Sequence, residues 1–161
     1  PPDDSYRAVV RKMFELGRFG QKTGSGYYRY DGRKPVTDPE TARIAKEQAA
    51  MHGIAQRTDI GQQEIVERLL YPLINEGAKI LEEGIAYRPG DIDIVWTAGY
   101  GFPDHKGGPM WMADGIGLVA IAERLAHYAQ VRGNPFGYWT VSPLLASLAK
   151  SGQRVSDWQA A

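Results

Sequence analysis

Cysteine is missing altogether from the 161 residues. That absence excludes a disulfide framework, thiolate catalysis and zinc sites built on cysteine. It fits a reducing compartment. A surplus of either charge is missing too, since nineteen Lys and Arg balance nineteen Asp and Glu. A balanced chain has no long-range field to gather nucleic acid or anionic lipid, so neither is expected as a partner. No apolar run approaches the roughly 20 residues a bilayer-spanning helix requires. Histidine is scarce. His52, His105 and His127 lie far apart, with no HExxH string between them. The opening Pro1-Pro2-Asp3-Asp4 has no initiator Met and no signal-like charged and apolar regions. The expectation is a chain processed, or cut, from something longer.

What remains is an ordinary globular composition, 43% apolar and 24% charged. The length allows one domain with a real core, or one domain plus an appendage. Tyr6 to Leu16 has helical apolar spacing and ends at Gly17. Arg18 to Gly26 reads as a loop, and Tyr27, Tyr28 and Tyr30 as a short extended segment. Asp31 to Val36 reads as a linker. Asp38-Pro39-Glu40 opens a second, Ala-rich helix with an N-cap, a proline at the first position and an acid at the positive dipole end. It is expected to be a connecting helix on a surface, ending at Gly53.

The strongest helical pattern spans Gln62 to Glu83. Ile65, Val66, Leu69, Leu70, Leu73, Ile74, Ile80 and Leu81 form two adjacent stripes, which predicts burial on a wide face. Glu64–Arg68 and Lys79–Glu83 are spaced for i,i+4 pairs, and Pro72 should kink the helix. A short helix is expected from about Asp91. A helix interrupted at Gly115-Ile116-Gly117 follows, then a last helix from Pro143 to Lys150 and a tail anchored by Trp158.

Met13, Leu16, Gly20, Gln21 and Lys22 are similar to Leu145, Leu148, Gly152, Gln153 and Arg154 at one constant offset of 132. Such self-similarity suggests that the first ~30 residues end one unit and that a second copy ends at the C-terminus.

Gly115 to Ala120 satisfies G-x-G-x-x-A, yet no strand precedes it and no acid follows at about 20 residues. A helix break fits these glycines better than a pyrophosphate site. Asp91 and Asp93 suit a helix start rather than a metal. Ser25 lies in Gly24-Ser25-Gly26, which is not a nucleophile elbow. The loop Gly99 to Pro109, GYGFPDHKGGP, is the best functional candidate. Tyr100, Gly101, Phe102, Pro103, Gly108 and Pro109 are its substrate or interface candidates, and His105 is its one titratable imidazole. A crossover packed into the core is the competing reading of that loop.

Three stretches carry a resemblance: LGRFGQKTGSGYYRY at Leu16–Tyr30, IVERLLYPLINEGAKILEEG at Ile65–Gly84, and GYGFPDHKGGPMWMADGIG at Gly99–Gly117. Together they are similar to the C-terminal region of 3-hydroxyacyl-CoA dehydrogenases, and most of all to the multifunctional β-oxidation type with two tandem C-terminal repeats. The resemblance implies a mainly α fold, a helical domain of the 6-phosphogluconate-dehydrogenase C-terminal kind. It would be the second repeat plus the tail of the first. Residues 1–30 would be that tail, 31–58 a linker with the connecting helix, and 59–161 the complete repeat.

The resemblance also implies an NAD-dependent oxidation of (3S)-3-hydroxyacyl-CoA in fatty-acid β-oxidation, joined in the multifunctional type to an enoyl-CoA hydratase. The catalytic His–Glu pair and the NAD fingerprint would belong to a Rossmann domain that this chain does not contain. No catalytic, cofactor or metal residue is expected here, and the chain alone is expected to be inactive. In the family's first repeat an Asn stands within I-V-N-R-L-L. Here Glu67 takes that place, and a carboxylate cannot donate an amide's hydrogen bond. Where some relatives have a Tyr before Gly-x-Gly-Phe-Pro, this chain has Ala98.

Implied partners are the chain's own Rossmann domain and first repeat, the acyl-CoA substrate of the whole enzyme, a thiolase subunit and self-association through exposed apolar faces. The basic residues Arg18, Lys22, Arg29, Arg33 and Lys34 would either attract a CoA phosphate or form a solvated face. The expected location is cytoplasmic, as in a bacterial-type enzyme. Two alternatives remain: an acyl-CoA-binding helical module, and a dehydrogenase subunit that acts in trans with a separate Rossmann chain.

Overall fold

The computed structural model describes residues 4–160. Pro1, Pro2 and Asp3 of the opening motif and the final Ala161 lie outside the described residues. The chain divides into two compact units, Pro1–Asp59 and Ile60–Ala161.

The first unit holds α1 (Ser5–Glu15), the strands β1 (Tyr28–Asp31) and β2 (Lys34–Thr37), and α2 (Pro39–Met51). Helix α1 stops where Gly17 and Arg18 fold back. The Gly17 amide donates to the Phe14 carbonyl and the Arg18 amide to that of Met13, which satisfies the last-turn carbonyls. The linker expected over residues 31–36 is instead the turn and second strand of a hairpin. β1 and β2 pair antiparallel with Asp31 opposite Lys34, leaving Gly32-Arg33 as a two-residue turn. Gly32 has φ +58°, the left-handed first position such a turn demands.

Asp38 fixes the start of α2. One carboxylate oxygen accepts the Glu40 amide at 3.1 Å, and the other accepts the Arg18 guanidinium at 2.5 Å. Helix α2 packs on α1 and buries Ile44 completely, so it is more than a connector. The apolar core here is small. Among the described residues its buried apolar side chains are Ala8, Met13 and Ile44, while Tyr6, Val10, Phe14, Phe19, Tyr27 and Tyr28 are exposed.

The second unit contains α3 (Gln62–Glu82), α4 (Pro89–Ile94), α5 (Pro109–Ile116), α6 (Leu118–Arg132) and α7 (Pro143–Ser151). A π-helical turn, Val95–Gly99, extends α4. Ile74, Ala78, Leu81, Met110, Ala113, Ile121, Leu125, Leu145 and Val155 form one contiguous core between these helices.

The wide buried stripe expected on α3 is only half there. Ile74 and Leu81 are buried, but Ile65, Val66 and Leu69 stay exposed, at 47%, 44% and 67%. The buried positions of its first half are Glu67 and Tyr71. Lys79 pairs with Glu76 at 3.0 Å rather than with Glu83, while Glu64–Arg68 forms as spaced, at 3.4 Å. Gly77 leaves room for Met110, whose sulfur lies 2.5 Å from where a Cβ would stand.

Asn75 ties α3 to the end of the loop after α6. Its amide nitrogen donates to the Thr140 carbonyl and its oxygen accepts the Ser142 amide, both at 2.8 Å. Ser142 in turn caps α7 by accepting the Leu145 amide at 3.1 Å. The tail is held by fully buried Val155, with Trp158 only partly buried beside it.

Candidate functional site

The loop after α4 begins at the π-helical turn. Tyr100 stacks near Trp96, with ring centroids 5.0 Å apart, and is 72% exposed. The Phe102 amide donates to the Trp96 carbonyl at 2.9 Å. Gly101 is left-handed, Pro103 precedes a 3₁₀ turn over Asp104–Lys106, and Gly107-Gly108 leads into Pro109. The six candidates therefore part into two environments. Tyr100 and Phe102 sit at the outer start of the loop, while Pro109 is fully buried and Gly108 packs on Asp93.

Asp93 determines the inner end. Its carboxylate accepts the Met110 amide at 2.7 Å and the Trp111 amide at 3.1 Å. It thus caps α5 from another helix, because the residue at that helix's own cap position, Gly108, has no side chain. Gly108 has φ +106°, and a Cβ there would stand 2.4 Å from Asp93. Burial pushes the Asp93 carboxyl up, against the two amides that favour its ion, and the nearby Asp114 charge adds to the rise.

Asp114, near the other end of α5, repeats the device. It accepts the Val155 and Ser156 amides at 2.7 and 3.0 Å. The pair Asp91 and Asp93 therefore serves backbone and surface. Asp91 pairs with Arg88 at 2.7 Å, and among the described residues no group of acids and histidines has metal-binding geometry. These trans caps were missed in the sequence. The available signal was a helix opening at Gly-Gly-Pro without a capping side chain of its own.

Glu67 is 2% exposed. It accepts Gln63 at 2.9 Å, the Arg124 guanidinium at 2.7 Å and the Tyr128 hydroxyl at 2.7 Å. Burial raises its carboxyl, but these three donors outweigh it and hold the group below its ordinary value. The same site pushes the Tyr128 hydroxyl up, through burial first and then through bonding to Glu67. Every strong donor around Glu67 comes from α3 or α6, so the carboxylate is consumed in joining two helices.

Of the basic cluster, Arg18 is not free for a ligand. It is locked on Asp38 and on the Gly26 carbonyl at 2.8 Å. Lys22 lies over the Phe19 ring at 5.4 Å. Gly115 is inside α5, and Gly117 is the break between α5 and α6, so G-x-G-x-x-A here has no strand before it and does not form a dinucleotide turn.

The chain is similar to several known proteins. A human peroxisomal bifunctional enzyme is 46% identical over 159 residues, covering 96% of this chain and 22% of its own length. An Arabidopsis thaliana peroxisomal fatty acid β-oxidation multifunctional protein is 32% identical over 160 residues, with the same two coverages. The crystal structure of the dehydrogenase part of multifunctional enzyme 1 from C. elegans superposes with a TM-score of 0.63 at 28% identity, covering 87% of this chain and 32% of that one. The chain thus spans about a fifth of the length of the curated relatives it matches. These relatives are peroxisomal proteins, and a cucumber one is glyoxysomal, which overturns the expected cytoplasmic, bacterial-type location. The family profile of the 3-hydroxyacyl-CoA dehydrogenase C-terminal domain matches residues 65–156. This chain belongs to the family of 3-hydroxyacyl-CoA dehydrogenase C-terminal domains.

Proposed function

We propose that the chain is the helical scaffold and interface part of an NAD-dependent (3S)-3-hydroxyacyl-CoA dehydrogenase within a multifunctional fatty-acid β-oxidation enzyme. The observation that carries this is the state of α3. Its one buried carboxylate, Glu67, is spent on Arg124 and Tyr128, while Ile65, Val66 and Leu69 form an exposed apolar face. A helix arranged this way holds other parts together and leaves the chemistry to them. The glycine string of this chain lies between helices and offers NAD no strand-to-helix dinucleotide turn. A Rossmann domain elsewhere in the enzyme would bind it.

The first unit supports a tandem arrangement. Three buried apolar side chains among the described residues make a small core for a unit of this length. In the second unit α7 ends as α1 does, with the Gln153 amide returning to the Leu148 carbonyl. Matching the two helix ends sets Val10 beside Leu145 and Met13 beside Leu148, three residues away from the offset of 132. Leu145 is fully buried, whereas Val10 is 55% exposed. On this reading residues 1–30 are the tail of a preceding repeat whose other helices cover Val10, and 59–161 are the complete second repeat.

Purified chain mixed with NAD and a 3-hydroxyacyl-CoA is expected to give no NADH absorbance. Turnover by the chain alone would overturn the scaffold reading. In the whole enzyme, Leu69→Lys is expected to weaken the dehydrogenase by loosening its assembly, seen as easier dissociation or a lower Tm. Unchanged assembly and activity would remove α3 from the interface.

A further inference from the structure

Beside the loop, a cavity of about 480 Å³ opens in the second unit. His105, Lys106, Trp111, Asp114 and Arg154 stand in its wall. Its electrostatics run against its surroundings. Residues 60–161 carry eight Lys and Arg against eleven Asp and Glu. Five of those cations, Arg68, Lys79, Arg88, Arg124 and Arg132, are in ion pairs of 3.4 Å or shorter with acids of the same unit. The other three are Lys106, Lys150 and Arg154.

Lys106 makes no ion pair among the described residues, and Arg154 reaches only Asp114, at 3.5 Å. That carboxylate is 6% exposed and also accepts two backbone amides, so one buried acid stands against two cations in this wall. Two of the three cations outside those shorter pairs, Lys106 and Arg154, therefore face one concavity, with His105 beside them. The wall also holds a flat surface. Trp111 is 56% exposed, and the Arg154 guanidinium lies over its ring at 5.2 Å. Gly107 backs the indole, since a Cβ there would come within 2.6 Å of it.

We propose that this cavity is a binding site for a nucleoside phosphate, with Lys106 and Arg154 on the phosphate and the planar base stacked on the Trp111–Arg154 pair. The volume is in the range of small-molecule sites. A guanidinium fork with an ammonium is the donor set suited to phosphate, and an indole–guanidinium stack accepts any flat ring. The site is separate from the scaffold reading and does not depend on it.

The test is titration of the chain with adenosine 5′-monophosphate, inorganic phosphate and adenosine, followed at the Trp111 indole N–H by NMR. The expected result is a saturable shift with the nucleotide, at least about tenfold tighter than with phosphate or adenosine alone. Lys106→Ala is expected to weaken it about tenfold, the worth of one charged hydrogen bond. Arg154→Lys keeps the charge but loses the fork, and is expected to weaken it by a similar factor. Trp111→Phe keeps a ring and retains part of the affinity, with binding then read at the Lys106 amide. No shift at about 10 mM nucleotide, or a shift unchanged in Lys106→Ala, overturns the site. Equal binding of phosphate and nucleotide overturns the nucleoside assignment.

Discussion

Glu67 is buried with its partners, and removing it would leave Arg124 and Tyr128 facing a position without charge. Glu67→Ala is expected to cost roughly 2–4 kcal/mol in chemical denaturation, below the usual range for a broken buried pair because Arg124 is 38% exposed. The pH dependence has a definite sign. The folded carboxyl lies below its reference of 4.5, so its stabilisation is present above that pH and is lost as pH falls through the folded value. Asp93 works the other way. Its folded value is above 3.8, so its contribution is full below that pH and fades as pH rises through the folded value. The acid limb of a stability–pH curve is therefore expected to flatten in Glu67→Gln and to steepen in Asp93→Asn. Asn75 is a second residue on which much depends. Asn75→Ala strands a carbonyl and an amide, and a loss of about 2–3 kcal/mol is expected by thermal melting.

At the scale of elements, α5 is joined to its neighbours near both ends by carboxylates. Asp93 caps its start, and its own Asp114 holds the tail turn at Val155–Ser156. This makes two glycines of one stretch behave oppositely. Gly108→Ala meets both a φ of +106° and Asp93 at 2.4 Å, so it should destabilise strongly and speed hydrogen exchange at the Met110 and Trp111 amides, which lose their Asp93 acceptor. Gly115 sits inside α5 with nothing within 4 Å of an added Cβ. Gly115→Ala is expected to stabilise by about 0.5–1 kcal/mol. The hairpin and the third helix show why elements were only partly legible. The turn at Gly32-Arg33 had its glycine in plain view, but β2, Lys-Pro-Val-Thr, has no alternation to mark it. On α3 the period of 3.6 was correct, yet periodicity counts apolar positions and says nothing of which are covered.

For the whole molecule, residues 51–61, which join the two units, are all exposed. Limited trypsin digestion is expected to cut first after Arg57, giving a fragment that spans the second unit with its helical signal intact. Earlier cleavage within residues 62–158 would contradict a compact second unit. The mass of that fragment and its circular dichroism decide between the outcomes.

By itself, the sequence determined the place of the main helices, because capping residues, glycine stops and a period of 3.6 act within a few neighbours. Asp38-Pro39-Glu40 and Ser142-Pro143 start their helices where they stand in the chain. Its three similar stretches also led to the family. Tertiary structure alone decided what the polar residues do. Glu67 meets Tyr128, 61 positions away, and Asp114 meets Val155, 41 positions away. No local pattern records such pairings, because they follow from which helix faces come together once the core has formed. The same is true of the exposed face of α3, whose apolar side chains differ from the buried ones only in what lies opposite them.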